Sequence, residues 1–327
     1  MNRGVCIFFL FLVISCADAP RDNPLDPLSP GFVSQATLSG TVLLKNQGTP
    51  ISLAQIRVLE EGVSVTSDSV GHFSFPRLST GLLTVVCSKA GCTPDTQRVS
   101  LTNRGTQSLT FLLNAAPIVL LKNILTRKID QYYPSPQYYV DVSADVTDPN
   151  GIMDLDSILF AVSTYSFPMT YDPTVKQFQV RVFKYDFPTN TIEWLVGKPL
   201  YIVSKDLSGA CDTSEAFYVY RIIETGATPV YPSSFNNDTT GGTPLLKWIT
   251  STDTFTYSYT LTISRVDAGT QTVVWEVTNV NSLLSQYQYP TDGSVSPLTP
   301  WNYVWSITVV DEFGNSCRSK ELSFVVQ

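Results

Sequence analysis

Histidine is almost missing from this chain of 327 residues; His72 is the single one. Imidazole-based metal sites and Ser-His-Asp hydrolysis therefore have almost nothing to draw on. Charged residues are scarce too, at 15% against about 25% in an average soluble domain. Basic residues are the scarcer sign: 21 Lys and Arg face 28 Asp and Glu, for a formal net charge of −7. The basic footprint of a nucleic-acid binder is thus absent, and no nucleic acid is expected as a partner. The apolar run Val5–Ile14 stops at ten residues, short of the about 20 that a spanning helix needs. What the chain does have is aromatic weight, 12% with 16 Tyr and 17 Phe, which a disordered chain would lack.

The N-terminus carries the most specific local signal. Arg3 precedes the apolar run, which suits a secretory leader. The run closes on Val13-Ile14-Ser15-Cys16, which resembles the bacterial lipobox. That resemblance implies removal of residues 1–15 as a signal peptide. The Cys16 thiol would take a diacylglyceryl group, and its new amine would be acylated by a palmitate-like chain. Each buried CH₂ contributes about 0.8 kcal/mol, so two or three chains hold a protein firmly to a bilayer. By the sorting rule of such lipoproteins, an aspartate directly after the cysteine favours the inner membrane. Here Ala17 follows and the aspartate is Asp18, so outer-membrane sorting is expected, facing periplasm or cell surface. Residues 16–36 form a tether with prolines at 20, 24, 27 and 30. Polyproline II geometry would let it span at most about 60 Å.

Residues 37–114 read as short alternating strands separated by tight turns. Gly40-Thr-Val42, Pro50-Ile-Ser-Leu-Ala54-Gln-Ile56, and Asp68-x-x-Gly71-x-Phe73-x-Phe75-x-x-Leu78-x-x-Gly81 follow in order. This series closely resembles the carboxypeptidase regulatory-like domain. The resemblance implies a small transthyretin-like β-sandwich without catalytic residues of its own. Leu83 and Cys92 depart from the aromatics usual at those places.

Residues 115–224 open on the apolar run Ala115–Leu121. Tyr138–Val146 then alternates, with Tyr138, Val140, Val142, Ala144 and Val146 on one face. Strands are expected at Ile158–Val162 and Phe178–Phe183. Leu200–Val203, an Asp206-x-x-Gly209 turn and Phe217–Ile222 close the domain. The pattern loosely resembles bacterial immunoglobulin-like domains. Residues 225–327 repeat the plan. Leu245–Trp248 and Tyr257–Ile263 resemble the B and C strands of a fibronectin type III module. Leu298–Val309 resembles its tyrosine corner, where the Tyr303 hydroxyl would bond to backbone near Leu298. Asp311-x-x-Gly314 takes the place that Asp206-x-x-Gly209 holds one domain earlier. The fold class expected is all-β, three β-sandwiches in tandem after the leader and tether.

Four cysteines remain once Cys6 leaves with the leader and Cys16 is lipidated: 87, 92, 211 and 317. A bridge between Cys87 and Cys92 across one turn is open; free buried thiols are the reading for Cys211 and Cys317. Asp148, Asn150, Asp154 and Asp156 put four oxygen ligands within nine residues, a set calcium would suit. They lack the EF-hand order, so the stretch reads as a turn, with calcium left open and no metal site assigned. Tyrosines pair at 132/133, 138/139, 257/259 and 287/289, where sheet core competes with a glycan-stacking platform. His72 reads as a solvent-side strand residue, and Glu60-Glu61 as a solvated pair rather than a glycosidase dyad.

No catalytic residue or cofactor is expected. The reading is a non-catalytic envelope lipoprotein that binds, or spaces on, a glycan or another envelope protein. The alternative is an accessory part of a polysaccharide- or protein-degrading system. An outer-membrane barrel carrying the first module is a further rival. The sequence leaves the oligomeric state open. Replacing Cys16 by Ala is expected to leave an uncleaved or soluble form, read by fractionation; normal membrane retention would count against the anchor.

Overall fold

The computed structural model describes residues 34–327 apart from 133 and 237, together with 26 and 29. The leader, Cys16 and nearly all of the tether lie outside the described residues. The protein is all-β, built as tandem β-sandwiches, and divides into two compact units at Asn114/Ala115.

The first unit pairs two four-stranded sheets. One runs in the order His72–Ser79, Gln35–Leu44, Thr106–Ala115, Cys92–Thr93. The other runs Val63–Thr66, Gln55–Val58, Gly81–Ser88, Asp95–Leu101. Alternation decides which side chains go inward, because successive residues of a strand face opposite ways. Leu38, Val42, Ile56, Val58, Phe73, Phe75, Val85, Phe111 and Leu113 fill the space between the sheets. The stretch around Leu53–Glu61, whose helix propensity competes with its alternation, is a strand at its centre, with Ile56 and Val58 fully buried. Gly40 is needed for approach. A Cβ there would lie 2.1 Å from the Leu109 carbonyl oxygen and 2.6 Å from the Phe73 ring.

The second unit holds two buried clusters, one from Ile124 to Val219 and one from Ile223 to Val326. We call the parts around them its first and second lobes. The first lobe has a four-stranded sheet in the order Tyr165–Pro168, Leu155–Val162, Leu200–Asp206, Cys211–Thr213. The second has a three-stranded sheet, Thr228–Tyr231, Leu245–Ile249, Gln286–Gln288. Each is faced by part of one ten-stranded sheet that both lobes share. Its main path is Thr170–Asp172, Gln177–Phe183, Gln137–Thr147, Ile118–Ile129, Ser316–Arg318, Trp301–Asp311, Tyr257–Asp267, Thr270–Asn281.

The lobes meet where Ser316–Arg318 runs parallel to Arg127–Ile129. Side chains lock that seam. Asn315 Oδ1 accepts from the Thr126 N–H at 2.9 Å. The Thr126 hydroxyl donates to the Arg221 carbonyl at 3.0 Å, and Arg127 donates to the Gly314 carbonyl at 2.7 Å.

The tyrosine corner is present. The Tyr303 hydroxyl donates to the Thr299 carbonyl at 2.9 Å, one residue past Leu298. The expected closing run Phe217–Ile222 is not a strand. Only Phe217 makes a bridge, exchanging both backbone bonds with Leu200. Beyond it the chain departs from the sheet edge. The Arg221 carbonyl is taken by the Thr126 hydroxyl rather than by a strand ladder, and the Arg221 guanidinium turns to Asp311 of the second lobe.

Asn315→Ala should leave the Thr126 N–H buried without an acceptor. The expected cost is about 1–3 kcal/mol, read as a lower denaturant midpoint; an unchanged midpoint would remove the seam's energetic role.

Candidate functional site

The sequence Asp-x-x-Gly folds into the same turn at several places. At Asp68 the carboxylate accepts from the N–H groups of Val70 and His72, at 3.0 and 2.8 Å. Asp206 repeats this with Ser208 and Ala210, at 2.9 and 2.8 Å. Asp311 does so with Phe313 and Asn315, at 3.0 and 2.8 Å. In each the glycine N–H bonds the aspartate carbonyl, and its positive φ of 79°, 90° or 91° is one a Cβ would strain. Asp148-Pro-Asn-Gly151 is a shorter relative, with the Asn150 N–H on Asp148 Oδ1 at 2.7 Å.

Burial separates these aspartates. Asp68 is exposed, so water meets its charge. Asp311 is buried, and its second oxygen accepts from the Arg221 guanidinium at 3.1 Å and the Asn315 amide at 3.0 Å. Asp206 is fully buried, and around it stand further acids. Carboxylate oxygens of Asp148, Asp154 and Asp206 all lie within 4.8 Å of one another.

Strand pairing brings them together. Asp206 sits opposite Leu155 in the ladder, and the Leu207 N–H bonds the Asp154 carbonyl at 2.8 Å. Asp148 lies one residue past the end of Gln137–Thr147, a strand of the ten-stranded sheet that faces this one. Asp148 and Asp154 are 5% and 6% exposed. The Oδ2 atoms of both have no hydrogen-bond partner. Neither residue forms an ion pair among the described residues. Two unit charges at such a distance repel by about 3.5 kcal/mol or more at an effective dielectric of 20. Burial pushes the Asp148 carboxyl above its ordinary range; the Asn150 N–H opposes this, and the charges of Asp154 and Asp206 add to it.

The acidic set singled out from sequence is therefore only half assembled. Asp148 and Asp154 converge. Asn150 Oδ1 is occupied by the Ala115 N–H at 2.7 Å, and Asp156 faces outward near Lys205 at 3.7 Å. Asp206, read from sequence as a turn residue alone, completes the cluster. Its signal was available: two Asp-x-x-Gly turns flank strands that meet at one end of a sandwich.

The other sequence candidates fall into structural places. His72 is exposed at a strand start, and its backbone caps onto Asp68. Glu60 and Glu61 accept from the backbone N–H groups of Thr84 and Ser79. The Thr84 bonds hold the Glu60 carboxyl below its ordinary value. Tyr259 and Tyr289 are core residues, and Tyr257 packs beside them. Tyr138 donates to Asp130 at 2.6 Å, a bond that raises its phenol to about 12. Tyr133 lies outside the described residues.

Cys87, Cys92, Cys211 and Cys317 are free thiols, so the bridge left open between Cys87 and Cys92 is not formed; Cys317 is buried as read from sequence, whereas Cys211, on a short strand after the Asp206 turn, is exposed. Burial pushes Cys87 up to about 12 and Cys317 up to about 11. Cys317 lines a cavity of about 300 Å³ at the lobe seam, whose walls mix Asp130 and Glu321 with Arg318 and Lys320.

A scan of family models matches residues 37–114 to the carboxypeptidase regulatory-like domain. The matched module is of a regulatory rather than a catalytic kind. No curated protein matches the chain. Among solved structures, BcpA, the major pilin subunit of Bacillus cereus, is 10% identical, with 90% of this chain and 95% of that one covered at a TM-score of 0.33. Fibronectin(III)-like modules of Clostridium thermocellum CbhA are 12% identical over 63% of this chain and 94% of that one, TM-score 0.28. A DUF3823 family protein of Bacteroides ovatus is 12% identical over 56% and 97%, TM-score 0.24. Superpositions this loose carry no functional weight.

Thiolates, not thiols, react with maleimide, so the raised pKa values order the cysteines. In a leaderless Cys16→Ala chain near neutral pH, exposed Cys211 should be labelled first and half-buried Cys92 more slowly. Cys87 and Cys317 should react only on unfolding, as mass spectrometry of a time course would record. Early labelling of either would contradict the burial that inactivates them.

Proposed function

We propose that this chain is a non-catalytic, lipid-anchored protein of the bacterial outer envelope. In this reading its sandwiches space and present a binding end to a glycan or to another envelope protein. The observation that carries it is the shared ten-stranded sheet of residues 115–327. A ladder of backbone hydrogen bonds is directional, so two lobes built into one sheet do not swing freely as beads on a linker would. That rigidity serves spacing and presentation, whereas a hydrolase gains from a cleft that closes on substrate. The matched regulatory module at residues 37–114 supports the same direction. Cys16 would provide the anchor and the proline tether the stand-off.

The sheets also argue against the barrel alternative, since they run as open paths packed in pairs over side-chain cores.

The test uses the leaderless, soluble Cys16→Ala chain incubated with envelope polysaccharides, peptidoglycan and purified envelope proteins. The expected result is retention on one of these, with no release of reducing ends or peptides over many hours. Turnover of any of them would overturn the non-catalytic reading, and so would a lack of retention on all of them.

A further inference from the structure

We propose that Asp148, Asp154 and Asp206 bind a calcium ion at one end of the first lobe of the second unit. This stands independently of the membrane anchor and of any envelope partner.

The geometry comes first. Three carboxylates converge within 4.8 Å in a place that water barely reaches. Asp148 and Asp154, about nineteen-twentieths buried, each bring a carboxylate oxygen into the cluster, and the Oδ2 of each has no protein donor. Buried carboxylate oxygens are ordinarily hydrogen-bonded or neutralised, because leaving a charge unmet in a low dielectric is costly. A cation among the three would meet both oxygens at once.

The donor set then selects the ion. All the ligand atoms are hard oxygens, with no histidine, cysteine or methionine in the group, which excludes the preferences of zinc and copper. Calcium holds oxygens at about 2.3–2.6 Å, so two ligands of one ion stand up to about 5 Å apart, which the observed separation allows. Magnesium, at about 2.0–2.1 Å, would draw them within about 4.2 Å. Water and backbone carbonyls would fill the remaining positions of the shell.

The second lobe supplies an internal control. Asp311 occupies the turn position of Asp206, with the same pattern of backbone bonds and the same place before a closing strand. There the chain brings Arg221 to within 3.1 Å of the buried carboxylate. At Asp206 it brings two more carboxylates instead. One fold position is thus built for an internal cation in one lobe and for acid neighbours in the other.

The experiment takes the exported chain as the leaderless Cys16→Ala form, stripped with EDTA and desalted. Calcium chloride is the probe, in isothermal titration and thermal melting, with magnesium chloride in parallel. One site is expected, with a Kd of about 10⁻⁴–10⁻³ M or tighter, the range of extracellular calcium modules. A few millimolar calcium should raise the Tm by about 3 °C or more, and magnesium by less. Asp154→Asn keeps the shape and removes one charge. It should abolish the calcium response while melting, ion-free, at or above the parent's temperature, since repulsion is relieved. A variant that merely misfolded would melt lower; Asp148→Asn would then serve as the second variant, with the same expected loss of response. Asp311→Asn should leave calcium binding intact. Absence of heat and of any Tm shift up to about 10 mM calcium would overturn the proposal. So would undiminished binding in Asp154→Asn or Asp148→Asn, and equal stabilisation by magnesium would overturn the assignment to calcium.

Discussion

Three residues of a closing strand, Ser316 to Arg318, lie parallel to Arg127–Ile129, and that short ladder turns two sheets into one. An unpaired strand edge is a template for further pairing, and proteins ordinarily cover it or blunt it. Here two edges cover each other. The residues around the seam act on the same interface: Asn315 satisfies the buried Thr126 amide, Arg127 reaches back to the Gly314 carbonyl, and Arg221 bridges to Asp311. The Asp311 turn therefore has two roles. It reverses the chain, and it aims Asn315 at the neighbouring lobe. Were the seam absent, the lobes would be two sandwiches on a linker, and Arg221 would lose its partner Asp311 across it.

The repeated Asp-x-x-Gly turn shows how one local solution acquires different consequences. Its hydrogen bonds are nearly superimposable at Asp68, Asp206 and Asp311, since they depend only on a short acceptor side chain and a glycine three residues on. Their electrostatics differ because Asp68 is exposed to water, Asp311 is buried against an arginine and Asp206 is buried beside two carboxylates. A pattern four residues long cannot encode that difference, which belongs to whatever strand end lies alongside.

Much of the fold was legible because strands declare themselves through alternation. Ile56 and Val58, Phe73 and Phe75, and the Val140-to-Val146 series all point inward as their period demands. Gly40 and Tyr303 were legible for another reason: each belongs to a motif whose spacing is set by a single close contact, with Leu109 and with Thr299. The run Phe217–Ile222 was misleading because its apolar positions serve packing against Phe160 and the seam, not a ladder. The acidic site was half legible. Asp148 and Asp154 are near in sequence, whereas Asp206 is distant and arrives only through the register of Leu155 against Asp206.

By itself, then, the order of residues determined the all-β class, the positions of the turns, the inward face of most strands and the limits of the first module. These rest on interactions within a few residues or on a period of two. Tertiary structure alone decided that the last two lobes share a sheet, which thiols are buried, and which aspartates lose their water. Those outcomes depend on strand ends brought together from far along the chain, and the cost of a buried charge is set by its surroundings rather than by its neighbours in sequence.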